Sequence, residues 1–249
     1  MTRGNPPAGK RHGLARVISK SGLCSRSEAE RRVRAGQVTV LGKVILDPEY
    51  PIAESRRSQV LVNGHELNTG RRIVIALNKP RGVITSASDE KGRDTVYRCL
   101  EGAVLPWLAP VGRLDKASEG LLLMTNDPEW AALLTDPRSH VDKTYHVQVR
   151  GSVTEDRLAS MRSGVSIDGE LWRVKTVSLL REGERTAWLE VTLDEGRNRQ
   201  IRRICEALDL HVERLVRVAL GALQLGTLSK GQWRELDPAE IDTLAAHTQ

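Results

Sequence analysis

The chain has 249 residues, enough for one large domain or two smaller ones with a sizeable core. Its 38 Lys and Arg against 32 Asp and Glu give a net charge of +6, and its three cysteines (Cys24, Cys99, Cys205) lie far apart. They read as reduced thiols of a cytoplasmic protein, because no disulfide framework, membrane-length apolar run or signal-peptide core accompanies them.

Residues 1–12 mix Gly, Pro and basic residues without periodicity and are expected to form a flexible basic tail. Leu14, Val17 and Ile18 then share one helical face, with Gly22 as terminator. Ser25 opens a second helix as a capping residue, with Glu28 three positions on, and Gly36 ends it. That helix carries Arg26, Arg31, Arg32 and Arg34. Up to Arg34 the chain holds nine basic residues (Arg3, Lys10, Arg11, Arg16, Lys20, Arg26, Arg31, Arg32, Arg34) against Glu28 and Glu30. This local excess points to a polyanion, with nucleic acid ahead of membrane; a solvated charged surface is the plainer alternative. Val38 and Val40 alternate along a strand that turns at Gly42-Lys43 into Val44 and Ile45, and Asn63-Gly64 marks a hairpin between Val60–Val62 and His65–Leu67.

A boundary is drawn near Asn68-Thr69-Gly70, separating a unit over 13–68 from one over 71–249. Ile73–Leu77 reads as a strand running into the breaker-rich turn Asn78-Lys79-Pro80-Arg81-Gly82. Further strands are expected at Leu121–Met124, Tyr145–Val149, Ala187–Leu193 and Val216–Leu220. Helices are expected at Trp130–Leu134, at Ile201–Leu208 with its apolar stripe, and from Asp237-Pro238-Ala239-Glu240. Strands and helices do not alternate regularly. The fold class is therefore α+β, with a mostly antiparallel mixed sheet in the larger unit.

Asp115 follows Gly112-Arg113-Leu114 and precedes the apolar run Leu121–Met124. By its residues alone this segment reads first as a turn whose Asp bonds its own backbone. The six histidines form no pair at ligand spacing, so no metal is expected.

The order of motifs changes the reading. Leu23-Cys24-Ser25-Arg26-Ser27-Glu28-Ala29-Glu30, continued by Gly36–Lys43, resembles the S4 RNA-binding domain, with Leu41 where that module usually has Asn. Behind it come Leu77-Asn78-Lys79-Pro80-Arg81-Gly82, Gly112-Arg113-Leu114-Asp115, Lys143-Thr144-Tyr145 and Glu195-Gly196-Arg197-Asn198-Arg199-Gln200-Ile201-Arg202-Arg203. Together these resemble the RsuA family of ribosomal-RNA pseudouridine synthases over residues 13–240. The resemblance implies isomerisation of a uridine without a cofactor. Asp115 would be the nucleophile, Arg202 its guanidinium partner and Tyr145 the ring stacking on the flipped base. It implies an RNA-binding set of Arg113, Lys79, Arg81, Arg197, Arg199 and Arg203 around the site, and of Arg26, Arg31, Arg32, Arg34 and Lys43 in the first unit.

Physical chemistry supports that assignment of roles. A nucleophilic carboxylate must stay ionised in a partly dry pocket, and a guanidinium can grip it bidentately. The target base must be extruded from folded RNA, with Arg113 able to fill the gap. The Arg-Asn-Arg-Gln-Ile-Arg-Arg form resembles the branch acting on large-subunit RNA. The expected partner is ribosomal RNA, free or within an assembling particle, and the protein is expected to be monomeric. Two rivals remain at this point: a non-catalytic S4-type assembly factor, and a base-releasing hydrolase using Glu119 or Asp127 as second carboxylate.

Overall fold

The computed structural model describes residues 11–67, 71–87 and 92–246. The chain divides into two compact units. The first takes in the described residues up to Val74, together with Ala103–Ala109 and Thr125–Glu129; the second holds 75–102, 110–124 and the residues from Trp130 on. Asn68, Thr69 and Gly70, where the sequence draws its boundary, lie outside the described residues.

In chain order the N-terminal elements are β1 (Arg11–Gly13), α1 (Leu14–Lys20), α2 (Arg26–Arg34), β2 (Val38–Val40), β3 (Lys43–Val44), β4 (Pro51–Ala53), β5 (Val60–Val62) and β6 (His65–Glu66). The last two residues of the segment expected as a tail over 1–12 are strand. Arg11 and His12 belong to β1, which pairs antiparallel with β4 in the register Arg11↔Ala53 and His12↔Ile52; residues 1–10 lie outside the described set. Ser25 caps α2 by accepting a hydrogen bond from Glu28 N at 3.2 Å. The two helices and the four-stranded sheet β3-β2-β5-β6 enclose one core, in which Leu14, Ile18, Ala29, Val33, Val38 and Val60 are fully buried. The β2–β3 turn puts Leu41 at φ 51° and Gly42 at φ 77°, the double left-handed geometry of a primed hairpin turn.

The remaining elements are β7 (Val74–Lys79), β8 (Ala109–Val111), β9 (Glu119–Thr125), α3 (Pro128–Thr135), β10 (Lys143–Arg150), α4 (Glu155–Ser163), β11 (Val165–Ile167), β12 (Glu170–Trp172), β13 (Thr176–Glu182), β14 (Thr186–Leu193), α5 (Gln200–Ala207), β15 (His211–Leu220), β16 (Leu223–Gln224), β17 (Trp233–Glu235) and α6 (Pro238–Ala246). A nine-stranded sheet runs β13-β14-β10-β15-β9-β7-β17, with β16 beside β15 and β8 beside β9. The β9–β15 pair is parallel, while β10–β14, β10–β15, β13–β14, β15–β16 and β7–β17 are antiparallel. The α+β class with a mixed, mostly antiparallel sheet is thus what the chain forms.

One face of the sheet packs α4 and α5 through Val147, Leu189, Val191, Met161, Ile204 and Cys205. Helix α4 escapes the sequence reading because only Leu158 and Met161 of its nine residues are buried, too few to write a helical stripe. Strand β9 is buried along its whole length, with Leu121–Met124 fully inaccessible. The turn that carries Asp115 therefore leads straight into a fully buried strand.

Candidate active site

The turn between β8 and β9 is held by its carbonyls. The Leu114 carbonyl accepts from Thr85 Oγ1 at 2.8 Å, and that of Lys116 from Gly82 N at 2.8 Å. The Asp115 carbonyl accepts from Ser118 N at 2.9 Å and from Lys79 Nζ at 3.1 Å. Ala117 O accepts from Arg202 Nη2 at 3.1 Å, and Ser118 O from Lys79 Nζ at 2.8 Å. Every carbonyl from 114 to 118 has a donor, so the backbone beneath the Asp115 carboxylate cannot shift without breaking several bonds.

That carboxylate is exposed and lines a cavity of about 320 Å³. Tyr145, half-buried on β10, lines the same cavity and packs against the core. It stands beside an irregularity in the β10–β15 register, between Thr144 and Tyr145, a device that re-aims side chains. Arg113, Arg197 and Arg199 line the opening and are exposed. Arg197 also pairs with Glu195 at 3.2 Å and Glu170 at 3.3 Å, and its guanidinium lies 5.2 Å from the Trp172 ring centre. Arg199 takes a left-handed backbone at the start of α5, with φ 54°.

Three expectations need correction. Lys79 does not face RNA: it is fully buried, and its ammonium donates to the carbonyls of Pro80 (3.1 Å), Asp115 and Ser118. Burial pulls its pKa down to about 8 against the opposing pull of Asp115, Cys99 and Glu119. Arg202 does not grip the Asp115 carboxylate: its Nη1 donates to Val212 O at 3.3 Å and its Nη2 to Ala117 O at 3.1 Å. It stays close enough for the Asp115 charge to act on it, opposing the downward pull of burial and of Arg199. Arg81 and Arg203 do not line the cavity. Arg81 Nη1 donates to Glu213 O at 3.3 Å, and Arg203 pairs with Asp168 at 3.3 Å beside Trp172.

In the first unit, the four α2 arginines are all engaged by carboxylates. Arg26 pairs with Glu30 and Glu49, Arg31 and Arg32 with Glu28, and Arg34 with Glu30. Lys43 is exposed. Such surface pairs are worth about 0–1 kcal/mol, so a phosphate can displace them. Of the two candidates for the hydrolase reading's second carboxylate, Glu119 is 2% exposed and held by Arg214 and Lys230. Burial works to raise its pKa, but those hydrogen bonds outweigh it and keep the group ionised. It is unfit to serve as an acid at Asp115.

Comparison with known proteins identifies the family. A family model described as RNA pseudouridylate synthase matches residues 73–207, and an S4 domain model matches 13–58. The chain belongs to the RNA pseudouridylate synthase family. Over 235 residues it is 37% identical to a ribosomal large subunit pseudouridine synthase B of Bacillus subtilis, covering 94% of this chain and 95% of that one. It is also 37% identical to an uncharacterized RNA pseudouridine synthase of Rickettsia conorii, across 91% of this chain and 96% of the relative. A crystal structure of pseudouridylate synthase superposes with a TM-score of 0.65 at 28% identity, covering 94% of this chain and 99% of that one.

In this pseudouridine synthase, Thr85 carries no sequence signal, and Gly82 and Gln200 stand in the motifs without an assigned role. Gln200 is 2% exposed; its Nε2 donates to Arg173 O and Glu195 Oε1 while its Oε1 accepts from Arg197 N, tying the arginine loop to α5. A polar residue beginning an apolar helical stripe was the available signal. Arg217, to which the sequence assigns no role, lines the cavity from β15; its one sequence signal is a charge inside the otherwise apolar run Val216–Leu220.

Proposed function

We propose that this enzyme isomerises a uridine of ribosomal RNA, in the large subunit, with Asp115 as the nucleophilic group. The observation that carries the reading is the clamped 114–118 turn, which holds the Asp115 carboxylate in a cation-lined cavity beside Tyr145. The relative from Bacillus subtilis, whose name specifies the large ribosomal subunit, supports that choice of RNA. The S4 domain supplies a second basic surface.

In the reaction the N1–C1′ bond breaks, its electron pair leaving with the base. The base turns, C5 bonds to C1′, C5 gives up its proton, and N1 gains one. Attack at C1′, attack at C6 and a glycal route all require an ionised carboxylate at Asp115. Arg202 positions that carboxylate by holding the Ala117 carbonyl of its turn. Tyr145 stacks on the extruded base, and Arg113 occupies the gap in the RNA. Arg197 and Arg199 neutralise phosphates at the opening, with Arg81 and Arg203 further out. Lys79 serves the turn rather than the RNA.

Incubating the protein with ribosomal RNA and analysing nucleosides by mass spectrometry tests the proposal. The expected product is pseudouridine with wild type and none with Asp115→Asn, at undiminished RNA affinity. Free uracil, or turnover by Asp115→Asn, contradicts it.

A further inference from the structure

Outside the turn itself, the most unusual group of the second unit is Arg217. It is 6% exposed on β15 and lines the cavity that holds Asp115 and Tyr145. Its Nε donates to Leu121 O at 2.7 Å, but its Nη2 is buried with no hydrogen-bond partner among the described residues. No ion pair joins it to a carboxylate among those residues. A guanidinium offers five donors and no acceptor, and an unmet buried donor of a charged group is costly.

We infer that Arg217 is a substrate-binding residue, whose guanidinium donates to a carbonyl oxygen of the uracil lodged in this cavity. The inference rests on the reading of the cavity given under Proposed function. Tyr145 and Arg217 are direct partners in the antiparallel β10–β15 register, so their side chains stand side by side on one face of the sheet. A base laid against the Tyr145 ring turns its edge toward that neighbour.

The backbone is built to hold Arg217 there. In the parallel β9–β15 pair Arg217 lies opposite Gly120, and a Cβ on Gly120 would sit 2.2 Å from Arg217 O. This close approach docks the start of β9, just past the Asp115 turn, onto the backbone of Arg217. The phosphate-binding alternative fits the exposed Arg113, Arg197 and Arg199 at the opening better than a group sunk in the sheet. Lys143 lines the same cavity, and after burial itself the Arg217 charge is the next cause holding its pKa below the ordinary lysine value.

The chemistry gives such a donor a role. When the N1–C1′ bond breaks, the electron pair on N1 spreads to O2 and O4, so a fixed cationic donor at either oxygen binds the detached base more strongly than the uridine. Arg217 neither gains nor loses a proton.

A thio-substitution cycle tests this. The modified uridine is first located by mass-spectrometric mapping of ribosomal RNA treated with wild type. Short RNAs then carry uridine, 2-thiouridine or 4-thiouridine at that position, sulfur being a poor acceptor. Single-turnover rates are measured for wild type, Arg217→Gln and Arg217→Lys, with RNA affinity and melting recorded for each. Arg217→Gln is expected to slow the uridine substrate by about 10²–10³-fold at unchanged affinity. One thio position is expected to slow wild type at least about tenfold and to add nothing in Arg217→Gln. Additive losses at both positions, or no thio effect on wild type, overturn the inference. If Arg217→Gln fails to melt cooperatively, Arg217→Lys enters the same cycle and is read in the same way. Failure of the underlying reading has a different signature: unchanged uridine with wild type, or turnover by Asp115→Asn.

Discussion

The ammonium of Lys79, at the end of β7, donates a 3.1 Å hydrogen bond to the backbone carbonyl of Asp115, 36 residues further along the chain. The same nitrogen holds Ser118 O at 2.8 Å, so one buried charge spans the turn that aims the carboxylate. Lys79→Met leaves the carbonyls of Pro80, Asp115 and Ser118 without this donor. A loss of about 2–4 kcal/mol is expected, measured by denaturant unfolding at pH 7.5. Full stability of the variant contradicts the clamp.

The same residue predicts a pH dependence. The Lys79 pKa is about 8 in the folded protein against an ordinary 10.5. Between those values the unfolded chain binds more protons than the native one, so this group's contribution to stability rises with pH. From pH 7.5 to 9.5 wild type is expected to gain about 1–2 kcal/mol relative to Lys79→Met, which lacks the group. A gap that stays constant or narrows contradicts a desolvated ammonium.

The burial of Lys79 is set by distant residues, whereas the ends of α2 are set by near ones. The start and end of α2 are written locally, by Ser25, Glu28 and Gly36, and local hydrogen bonds realise them. Lys79 sits in a Lys-Pro turn that reads as exposed, and two of the three carbonyls that make its burial tolerable come from residues 115 and 118, far along the chain. Arg202 shows the same limit: its helix was legible from the stripe Ile201, Ile204, Cys205, Leu208, but not its partner, the Ala117 carbonyl. The order of the sheet and the parallel β9–β15 pairing depend on long-range register, which no short window of sequence contains.

Gly120 has a strict requirement. Its φ of +100° and the 2.2 Å approach to Arg217 O leave no space for a side chain. Gly120→Ala is expected to cost about 3–5 kcal/mol through strain and displaced β9 backbone. Thermal unfolding and single-turnover activity check it together; a variant with wild-type melting and rate contradicts the close approach.

Leu41 departs from the Asn usual in S4-like turns and adopts φ 51° while 64% exposed. A left-handed backbone costs a branched residue more than it costs Asn. Leu41→Asn is expected to stabilise the β2–β3 hairpin by about 0.5–1 kcal/mol. Amide exchange at Val40 and Lys43, paired across the turn, is expected to slow about two- to fivefold. Faster exchange contradicts the strain argument.

The α2 arginines separate binding from stability. Arg26, Arg31 and Arg34 sit in surface ion pairs with Glu28, Glu30 and Glu49. Each pair contributes about 0–1 kcal/mol, so a triple change to Ala leaves melting nearly unaltered. Bound RNA draws the same three cations to its phosphates and releases counterions. The slope of log affinity against log salt is therefore expected to fall by about 0.7–0.9 for each phosphate that is no longer neutralised. Filter binding of ribosomal RNA between low and physiological salt measures it. Glu28→Gln, which removes the competing carboxylate of Arg31 and Arg32, is expected to shift affinity the opposite way. If neither variant changes the slope or the affinity, the helix is a solvated surface and RNA is held elsewhere.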